Sequence, residues 1–353
     1  MTYAKPAFRH PDAKTNEVGC TRRDYEGGLS TLCAGCGHDS ISAAIIDACF
    51  ELSIEPHRVA KLSGIGCSSK TPAYFLSGSH SFNSVHGRMP SVATGANLAN
   101  RGLIYIGVSG DGDTASIGMG QFAHVMRRNL NMTYIVENNG VYGLTKGQYS
   151  ATAEVGSKKK KGRPNEQQPI DLCALAINLG CTFVARSFSG SKKQLTALLK
   201  AAMAHKGFAL IDVISPCVTF NNNDESYKSY GYVKENEVTL HMPDYIPQRM
   251  PMEEVEVPEG HYVDITLHDG STIRLETIDA EHDPSDAVAA LAALHKADSE
   301  HHHVTGLLYF DGNQPTMHEV LGLPETPLVD LESTQLRPSE DALESVIAAF
   351  RDG

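Results

Sequence analysis

The segment from Leu103 to Gly140 reads LIYIGVSGDGDTASIGMGQFAHVMRRNLNMTYIVENNG. Two apolar runs, at 103–108 and 132–136, are each followed by a short polar turn. Between them, apolar side chains recur at the three- and four-residue spacing of a helix. Strand, helix and strand in this order predict a parallel unit whose two strands end at the same edge of a sheet. The two polar turns are therefore expected to lie side by side.

The side chains in these turns predict a metal-bound diphosphate. Asp111 and Asn139 offer carboxylate and amide oxygens, the hard ligands that hold Mg²⁺ beside a substrate phosphate. The first turn also fits the glycine pattern of dinucleotide-binding proteins, with Ala115 in its last position. That pattern places bare backbone against a pyrophosphate, whereas Asp111 and Asp113 would repel the anion unless a cation lay between them. A nicotinamide dinucleotide site and a purely structural turn are the alternatives.

Length, composition and charge limit the classes of protein to which the chain can belong. The chain has 353 residues, 41% hydrophobic and 20% charged, which is ordinary for a globular protein of two or three units. A net charge of −12 and the lack of a long apolar run indicate neither general nucleic-acid binding nor a membrane segment. The first residues, MTYAKP, do not resemble a signal peptide, so a cytoplasmic location is expected. In that compartment the eight cysteines are expected as thiols or metal ligands rather than disulfides.

Hydrophobic periodicity predicts three parts: an N-terminal arm at 1–24, a parallel-sheet α/β domain at 25–233 and a C-terminal α+β extension at 234–353. The extension is expected to pack on the core or on a partner subunit. In the α/β domain, the predicted helices lie at about 39–52, 95–101, 119–128, 170–178 and 192–204. The predicted strands lie at about 58–62, 103–108, 132–136, 182–185 and 208–214. The extension should contain a hairpin at about 263–267 and 272–277, a helix capped at Asp283, a strand at about 307–310 and a final helix at about 339–351.

Four of the cysteines form a candidate metal site. Cys33 and Cys36 are the only pair with Cys-x-x-Cys spacing, which suits a metal site or a redox disulfide. A polar arm rather than a strand precedes them, so metal binding is favoured. Cys67 and Cys217 each follow a predicted strand and should lie at the same sheet edge as Asp111.

The spacing of these four thiols does not distinguish zinc from a [4Fe–4S] cluster. A place beside a diphosphate cofactor favours the cluster, because electrons could then leave the cofactor through it. Cys49, Cys173 and Cys181 are expected to be small buried hydrophobes. Cys20 lies in the N-terminal arm and is expected to have no part in the metal site.

Taken together, these motifs resemble the β subunit of the 2-oxoacid:ferredoxin oxidoreductases, thiamine-diphosphate enzymes related to pyruvate:ferredoxin oxidoreductase. The resemblance covers about residues 25–230. In chain order it runs through CAGCGH at 33–38, GIGCS at 64–68, HGR at 86–88, ATG at 93–95, GDGD at 110–113, NNGVYGLTKGQ at 138–148 and PC at 216–217. It implies an α/β thiamine-diphosphate-binding fold of the pyrophosphate type. It assigns no role to the last part of the chain.

The resemblance also implies a ligand set. The four cysteines Cys33, Cys36, Cys67 and Cys217 would hold one [4Fe–4S] cluster, and Asp111, Asn139 and the carbonyl of Val141 would bind Mg²⁺. Thiamine diphosphate would contact Ile65, Gly66, Ser68, His86, Gly87, Gly110, Gly112, Asp113, Tyr142, Gly143, Leu144 and Thr145. His38 would either touch the cofactor or hold the cluster loop in place.

The implied reaction is the oxidative decarboxylation of a 2-oxoacid with coenzyme A, with electrons passing singly through the cluster to ferredoxin. Thiamine enzymes activate the cofactor with a glutamate, which in this family resembles a residue of a separate α subunit. The sequence offers no convincing candidate for it, so an α partner and an (αβ)2 assembly are expected.

Two lysines are candidates for the 2-oxoacid substrate. Lys70 and Lys146 could pair with carboxylates, and the Thr-Lys-Gly-Gln form around Lys146 resembles the 2-oxoglutarate branch, whereas pyruvate enzymes tend to carry glycine there. Lys146 could instead meet a phosphate of coenzyme A. The alternatives are the same chemistry on pyruvate or another 2-oxoacid, a thiamine enzyme without redox output, and a zinc-bound structural module.

Overall fold

A computed structural model describes residues 12–157, 163–224, 226–248, 262–277 and 282–351. Residues 1–11 of the predicted N-terminal arm and the four consecutive lysines at 158–161 lie outside these ranges. The strands are β1 (Val59–Ser63), β2 (His80–Asn83), β3 (Ile104–Gly110), β4 (Met132–Asn138), β5 (Val141–Tyr142), β6 (Gln148–Tyr149), β7 (Phe183–Phe188), β8 (Phe208–Ile214), β9 (Glu237–Thr239), β10 (His241–Ile246), β11 (Tyr262–Thr266), β12 (Thr272–Thr277) and β13 (His303–Phe310).

The α-helices surround these strands. They are α1 (Gly37–Glu51), α2 (Met89–Ala99), α3 (Met119–Arg127), α4 (Leu172–Asn178), α5 (Lys192–Ala204), α6 (Tyr230–Asn236), α7 (Ala287–Ser299), α8 (Met317–Val320), α9 (Ser333–Leu336) and α10 (Glu340–Arg351). A 3₁₀ helix, Ser68–Ala73, follows β1, and a π-helical turn, Gly112–Ile117, follows β3.

Eight strands form the central sheet in the order β2-β1-β3-β4-β8-β7-β13-β9. Neighbouring strands are parallel except β7 and β13, which are antiparallel. Strands β4 and β8 are buried along their whole length, which explains their continuous apolar sequences. The predicted α/β class with a largely parallel sheet is confirmed. Strand β2 was not predicted, because every one of its residues is exposed and no apolar run marks it.

Two layers of helices cover the sheet. On one face, α1 and α5 pack on a core that includes Ile45, Phe75 and Leu198. On the other face, α2, α3, α4 and α7 pack on a second core that includes Phe122 and Tyr134. Burial on both faces is the arrangement that parallel sheets require.

Two predicted helix starts were wrong. Helix α2 begins at Met89, six residues before its predicted start, with a proline in its first turn where the missing amide costs nothing. Helix α7 is capped by Asp286, whose carboxylate accepts hydrogen bonds from the amides of Val288 at 2.8 Å and Ala289 at 3.1 Å. Asp283, the predicted cap, bonds Ser285 instead.

The C-terminal part of the chain forms a separate three-stranded sheet and also adds strands to the central sheet. Strands β11 and β12 form the predicted antiparallel hairpin, and β10 adds to it a third strand that was not predicted. Strands β9 and β13 extend the central sheet, and the expected boundary at 233/234 falls inside helix α6. Every residue of α10 is solvent-exposed. Within the described ranges, no helix has the length and apolar character needed to cross a membrane.

The register of the sheet fixes where the site forms. Gly110 at the end of β3 pairs with Glu137 near the end of β4, and Asn138 pairs with Ile214 at the end of β8. The acidic turn at 110–113, the amide pair formed by Asn138 and Asn139, and the loop that carries Cys217 therefore leave the sheet at one edge, as predicted.

Candidate active site

A cavity of about 200 Å³ lies at this edge of the sheet. All but Gly87 of the predicted cofactor contacts line it, together with the predicted Mg²⁺ ligands. These lining residues are Ile65, Gly66, Ser68, His86, Gly110, Asp111, Gly112, Asp113, Asn139, Val141, Tyr142, Gly143, Leu144 and Thr145. Segments from four separate parts of the chain thus meet around one space.

Asp111 is buried and held by several donors. Its carboxylate accepts hydrogen bonds from the amide of Gly140 at 3.1 Å, from Oγ1 of Thr152 at 2.6 Å and from Oγ of Ser150. Burial raises the pKa of Asp111, and the hydroxyl donors oppose that rise. Ser150 and Thr152 were not predicted from sequence, although both follow the Asn-Asn-Gly loop closely.

The amide pair is ordered by the same turn. The amide of Asn139 lies 3.4 Å from Oδ1 of Asp111, and the Asn139 side-chain oxygen accepts a bond from the amide of Val141 at 3.0 Å. The carbonyl of Asn139 accepts a bond from Asn221 at 2.7 Å. Two of the three candidate oxygen ligands, Asn139 and the carbonyl of Val141, therefore lie in a loop that hydrogen bonds hold in place, and Asp111 is the third.

Glycine at position 112 is required by close packing. A Cβ there would lie 2.5 Å from the ring of Tyr142, whose hydroxyl donates to the Gly112 carbonyl at 3.0 Å. The neighbouring carboxylate of Asp113 accepts bonds from the amide of Gly87 at 2.9 Å and from Ser109 at 3.0 Å. Asp113 therefore fastens the His86–Gly87 loop to the acidic turn.

Ser68 carries a buried hydroxyl on the cavity wall. Only 2% of the residue is exposed, and its Oγ has no hydrogen-bond partner in the described structure. Buried hydroxyls are nearly always paired, so an unpaired one facing a cavity indicates a missing polar ligand. An oxygen of a diphosphate group fits this position.

The four candidate cluster cysteines approach one another beside the cavity. A Cβ on Gly143 would lie 3.3 Å from the sulfur of Cys67 and 3.7 Å from that of Cys217. Cys33 and Cys36 are joined by a backbone bond of 3.0 Å. The hydroxyl of Thr219, two residues after Cys217, lies 3.5 Å from the sulfur of Cys33.

The surroundings distinguish these cysteines from the others. Cys33 is exposed, and the other three are partly buried. Burial is the main factor that raises the pKa of the Cys36 thiol to about 12. Among the described residues, no three His, Cys, Asp or Glu side chains are close enough to hold a single metal ion. The predicted burial of Cys49, Cys173 and Cys181 is confirmed.

The two candidate substrate lysines lie outside the cavity wall. Lys70 is partly exposed in the 3₁₀ helix, and its charge favours the thiolate form of Cys67 by lowering that group's pKa, although burial raises it more. Lys146 is exposed in the turn between β5 and β6, with a left-handed φ of 79° and its amide bonded to Gly143 at 3.1 Å.

Four further residues line the cavity: His38, Cys67, Ile117 and Glu137. Glu137 is fully buried, and burial raises the pKa of its carboxyl well above the usual range. An acidic residue at the end of an apolar run, directly before Asn138, was a signal that the sequence analysis did not use. Burial lowers the pKa of His38 to about 4, so its imidazole is neutral near pH 7.

The fold and site define a thiamine-diphosphate-binding domain. Residues 64–213 match the family described as "Thiamine pyrophosphate enzyme, C-terminal TPP binding domain". A relative from a Sulfolobus species, named 2-oxoacid:ferredoxin oxidoreductase subunit beta, is 41% identical over 244 residues, which cover 68% of this chain and 78% of the relative. The chain belongs to the β subunits of the 2-oxoacid:ferredoxin oxidoreductases.

Two other proteins are similar over different lengths. The 2-oxoglutarate oxidoreductase subunit KorB of Mycobacterium tuberculosis is 42% identical over 192 residues, covering 54% of this chain and 51% of that subunit. A solved structure of 2-oxoglutarate:ferredoxin oxidoreductase from Magnetococcus marinus has a TM-score of 0.68 and 30% identity, covering 90% of this chain and 96% of that one. That structure contains 2-oxoglutarate, coenzyme A and succinyl-CoA.

Proposed function

We propose that the chain is the β subunit of a 2-oxoglutarate:ferredoxin oxidoreductase that forms succinyl-CoA and CO₂ and passes single electrons to ferredoxin. The observation that carries the proposal is the position of Gly143. This residue lines the diphosphate cavity on one side and lies against the sulfurs of Cys67 and Cys217 on the other. A cofactor site and a four-cysteine site thus share one loop.

The residues of the cavity suit Mg²⁺ and a diphosphate. Asp111, Asn139 and the carbonyl of Val141 would supply oxygen ligands to the ion, and the unpaired hydroxyl of Ser68 would donate to a phosphate oxygen. When bound, thiamine diphosphate supplies the carbon nucleophile and electron sink that decarboxylation of a 2-oxoacid requires. The chain's own part is to hold the diphosphate in place and keep the site narrow.

One [4Fe–4S] cluster is the metal centre that best fits Cys33, Cys36, Cys67 and Cys217. The sulfurs of Cys67 and Cys217 lie beside Gly143 at the cofactor cavity, and the hydroxyl of Thr219 lies near the sulfur of Cys33. A cluster at this position could carry electrons away from the cofactor, whereas zinc has no redox chemistry. Exposure of Cys33 leaves one side of this site open to a ferredoxin.

The substrate assignment depends on the exposed turn at Lys146. A second carboxylate distinguishes 2-oxoglutarate from pyruvate, and a lysine at the rim would pair with it. Lys70 would pair with the carboxylate that both substrates share. The solved relative with 2-oxoglutarate and coenzyme A supports this substrate and acyl acceptor.

An α subunit would complete the site. The cavity is below the usual 300–1,000 Å³ of ligand sites, which suggests that a second chain forms the rest of its wall. Exposed apolar side chains at its rim, Ile117 and Leu144, and Val85 beside His86 suit a protein interface. The α chain would supply the cofactor-activating glutamate, and two such pairs would give an (αβ)2 assembly.

Anaerobic co-purification with the α subunit tests the proposal. Each β chain should carry four irons and no zinc, and 2-oxoglutarate with coenzyme A should reduce a one-electron acceptor faster than pyruvate does. Zinc in place of iron, or pyruvate as the faster substrate, would contradict the corresponding part of the proposal.

A further inference from the structure

Glu137 connects the candidate cofactor and cluster sites. It lies near the end of β4, two residues before Asn139, and none of its surface is exposed. The hydroxyl of Thr71 lies 3.0 and 2.9 Å from its two carboxylate oxygens. Thr71 belongs to the 3₁₀ helix that begins immediately after Cys67.

Through His38, the same carboxylate is connected to the segments that carry Cys36 and Cys217. Nδ1 of His38, two residues after Cys36, lies 3.6 Å from Oε2 of Glu137. The same nitrogen lies 2.6 Å from the hydroxyl of Ser215, two residues before Cys217. The amide of Ser215 in turn bonds the carbonyl of Asn138 at 2.8 Å.

We propose that Glu137 is a positioning residue for the cluster: it fixes the segments that carry Cys36, Cys67 and Cys217 against the strand that ends at the cofactor. The inference deepens the proposed function and rests on it. Polar partners behind metal ligands set the orientation of those ligands and tune the properties of the metal centre. Glu137 would do this for three of the four cysteines at once.

The cost of burying this carboxyl supports a specific role. A buried acidic group without a cationic partner is expensive, and an apolar residue would fill the same space more cheaply. The groups that approach the carboxylate, directly or through His38, belong to segments next to a candidate ligand. A residue kept for packing alone would not need this set of partners.

Glu137→Ala in the holoenzyme tests the proposal. We expect iron loss to a chelator to become about 10- to 100-fold faster, as for other partners behind metal ligands. The EPR spectrum and the midpoint potential of the reduced cluster should also change. Glu137→Gln keeps an acceptor oxygen for Thr71 and should restore both towards wild type. Thr71→Val, which removes only the hydroxyl, should change the spectrum in the same direction and replaces Glu137→Ala if that variant does not fold.

Asp212→Ala is the matched control, because Asp212 is equally buried on neighbouring β8 but bonds Asn138 and Arg186. It should leave the iron content, spectrum and potential unchanged. The proposal is overturned if Glu137→Ala and Thr71→Val match wild type, if Asp212→Ala alters the cluster equally, or if Glu137→Gln behaves like Glu137→Ala. A wild-type holoenzyme without an iron–sulfur signal would instead refute the proposed function.

Discussion

At the scale of single residues, the proposed site for Mg²⁺ and diphosphate depends most on Asp111. Its carboxylate accepts hydrogen bonds from the consecutive backbone amides of Asn139 and Gly140, and the residue lines the cavity. Asp111→Ala should abolish Mg²⁺-dependent binding of thiamine diphosphate, because it removes a proposed metal ligand and releases Ser150 and Thr152 together. Calorimetric titration with and without Mg²⁺ measures this directly.

Asp212→Ala serves as the control for Asp111→Ala, since it removes a carboxylate of similar burial from β8, which is separated from β3 by β4 in the sheet. Cofactor affinity should survive in that variant even where stability falls. Retention of Mg²⁺-dependent binding by Asp111→Ala would show that the metal ligands lie elsewhere.

Lys146 offers a test of substrate choice that does not depend on stability. Its φ of 79° is a strained conformation for lysine that glycine adopts without cost. Lys146→Gly should therefore not lower the thermal midpoint. It should reduce the kcat/KM preference for 2-oxoglutarate over pyruvate by about 10- to 100-fold, the value of one charged hydrogen bond.

Lys146→Ala is the matched variant, because it removes the same charge and retains the backbone strain. It should show the same loss of preference with no gain in stability. An unchanged preference in both variants would remove Lys146 from substrate recognition.

Some residues of the site could be predicted from sequence and others could not. Asp111 and Asn139 were predictable, because the ends of parallel strands fix them at one edge. Ser150 and Thr152 were not, because a loop of irregular path returns them to Asp111. Glu137 was overlooked because it belongs to a strand whose alternation is hidden by burial on both faces.

At the scale of elements, the π-helical turn after β3 depends on glycine. Gly112→Ala would drive its Cβ into the Tyr142 ring, so we expect the turn to shift and cofactor affinity to fall. Gly120 in helix α3 is the control, because a Cβ there meets nothing within 4 Å. Gly120→Ala should raise the free energy of unfolding by about 0.5–1 kcal/mol. Equal cofactor affinity in the two variants would contradict the packing argument.

The loop after β8 carries Cys217, and a substitution there tests the proposed cluster separately from the cofactor site. Cys217→Ser should remove or degrade the cluster, while Mg²⁺-dependent binding of thiamine diphosphate persists, since Cys217 does not line the cavity. Cys20→Ser should leave the iron content unchanged. Iron analysis and cofactor titration of the same preparations would distinguish the two sites, and full iron content in Cys217→Ser would exclude Cys217 as a ligand.

Hydrophobic patterns predict buried strands and helices better than exposed ones. Strands β4 and β8 and helix α5 were predicted closely, because long buried runs leave few alternatives. Strand β2 was missed because its exposed side chains carry no such signal. Sequence periodicity also could not predict that β13 would join the sheet beside β7, since pairing between distant segments depends on which edge is free.

At the scale of the whole molecule, the C-terminal segment divides into parts that do and do not stabilise the fold. Strand β13 contributes Leu307, which is fully buried, so Leu307→Ala should cost about 2–5 kcal/mol. Truncation after Pro338 removes α10, whose described side chains are all exposed, and should change the free energy of unfolding by less than about 0.5 kcal/mol. Chemical denaturation measures both, and a large loss on truncation would mean that α10 packs on the subunit.

At the scale of the whole molecule, we also expect activity to require association of this chain with an α subunit. The small cavity with its apolar rim, and the proposal that an α subunit supplies the activating glutamate, both predict that the chain alone is inactive. Adding the α subunit should restore activity without any change in the β chain.

The most direct measurement is the visible absorption of the cluster in the anaerobic αβ complex, loaded with thiamine diphosphate and Mg²⁺, after addition of 2-oxoglutarate and coenzyme A. We expect the absorption to bleach as the cluster accepts electrons, and to return when oxidised ferredoxin is added in excess over the substrate. An unchanged spectrum in a complex that contains full iron and cofactor would contradict this expectation.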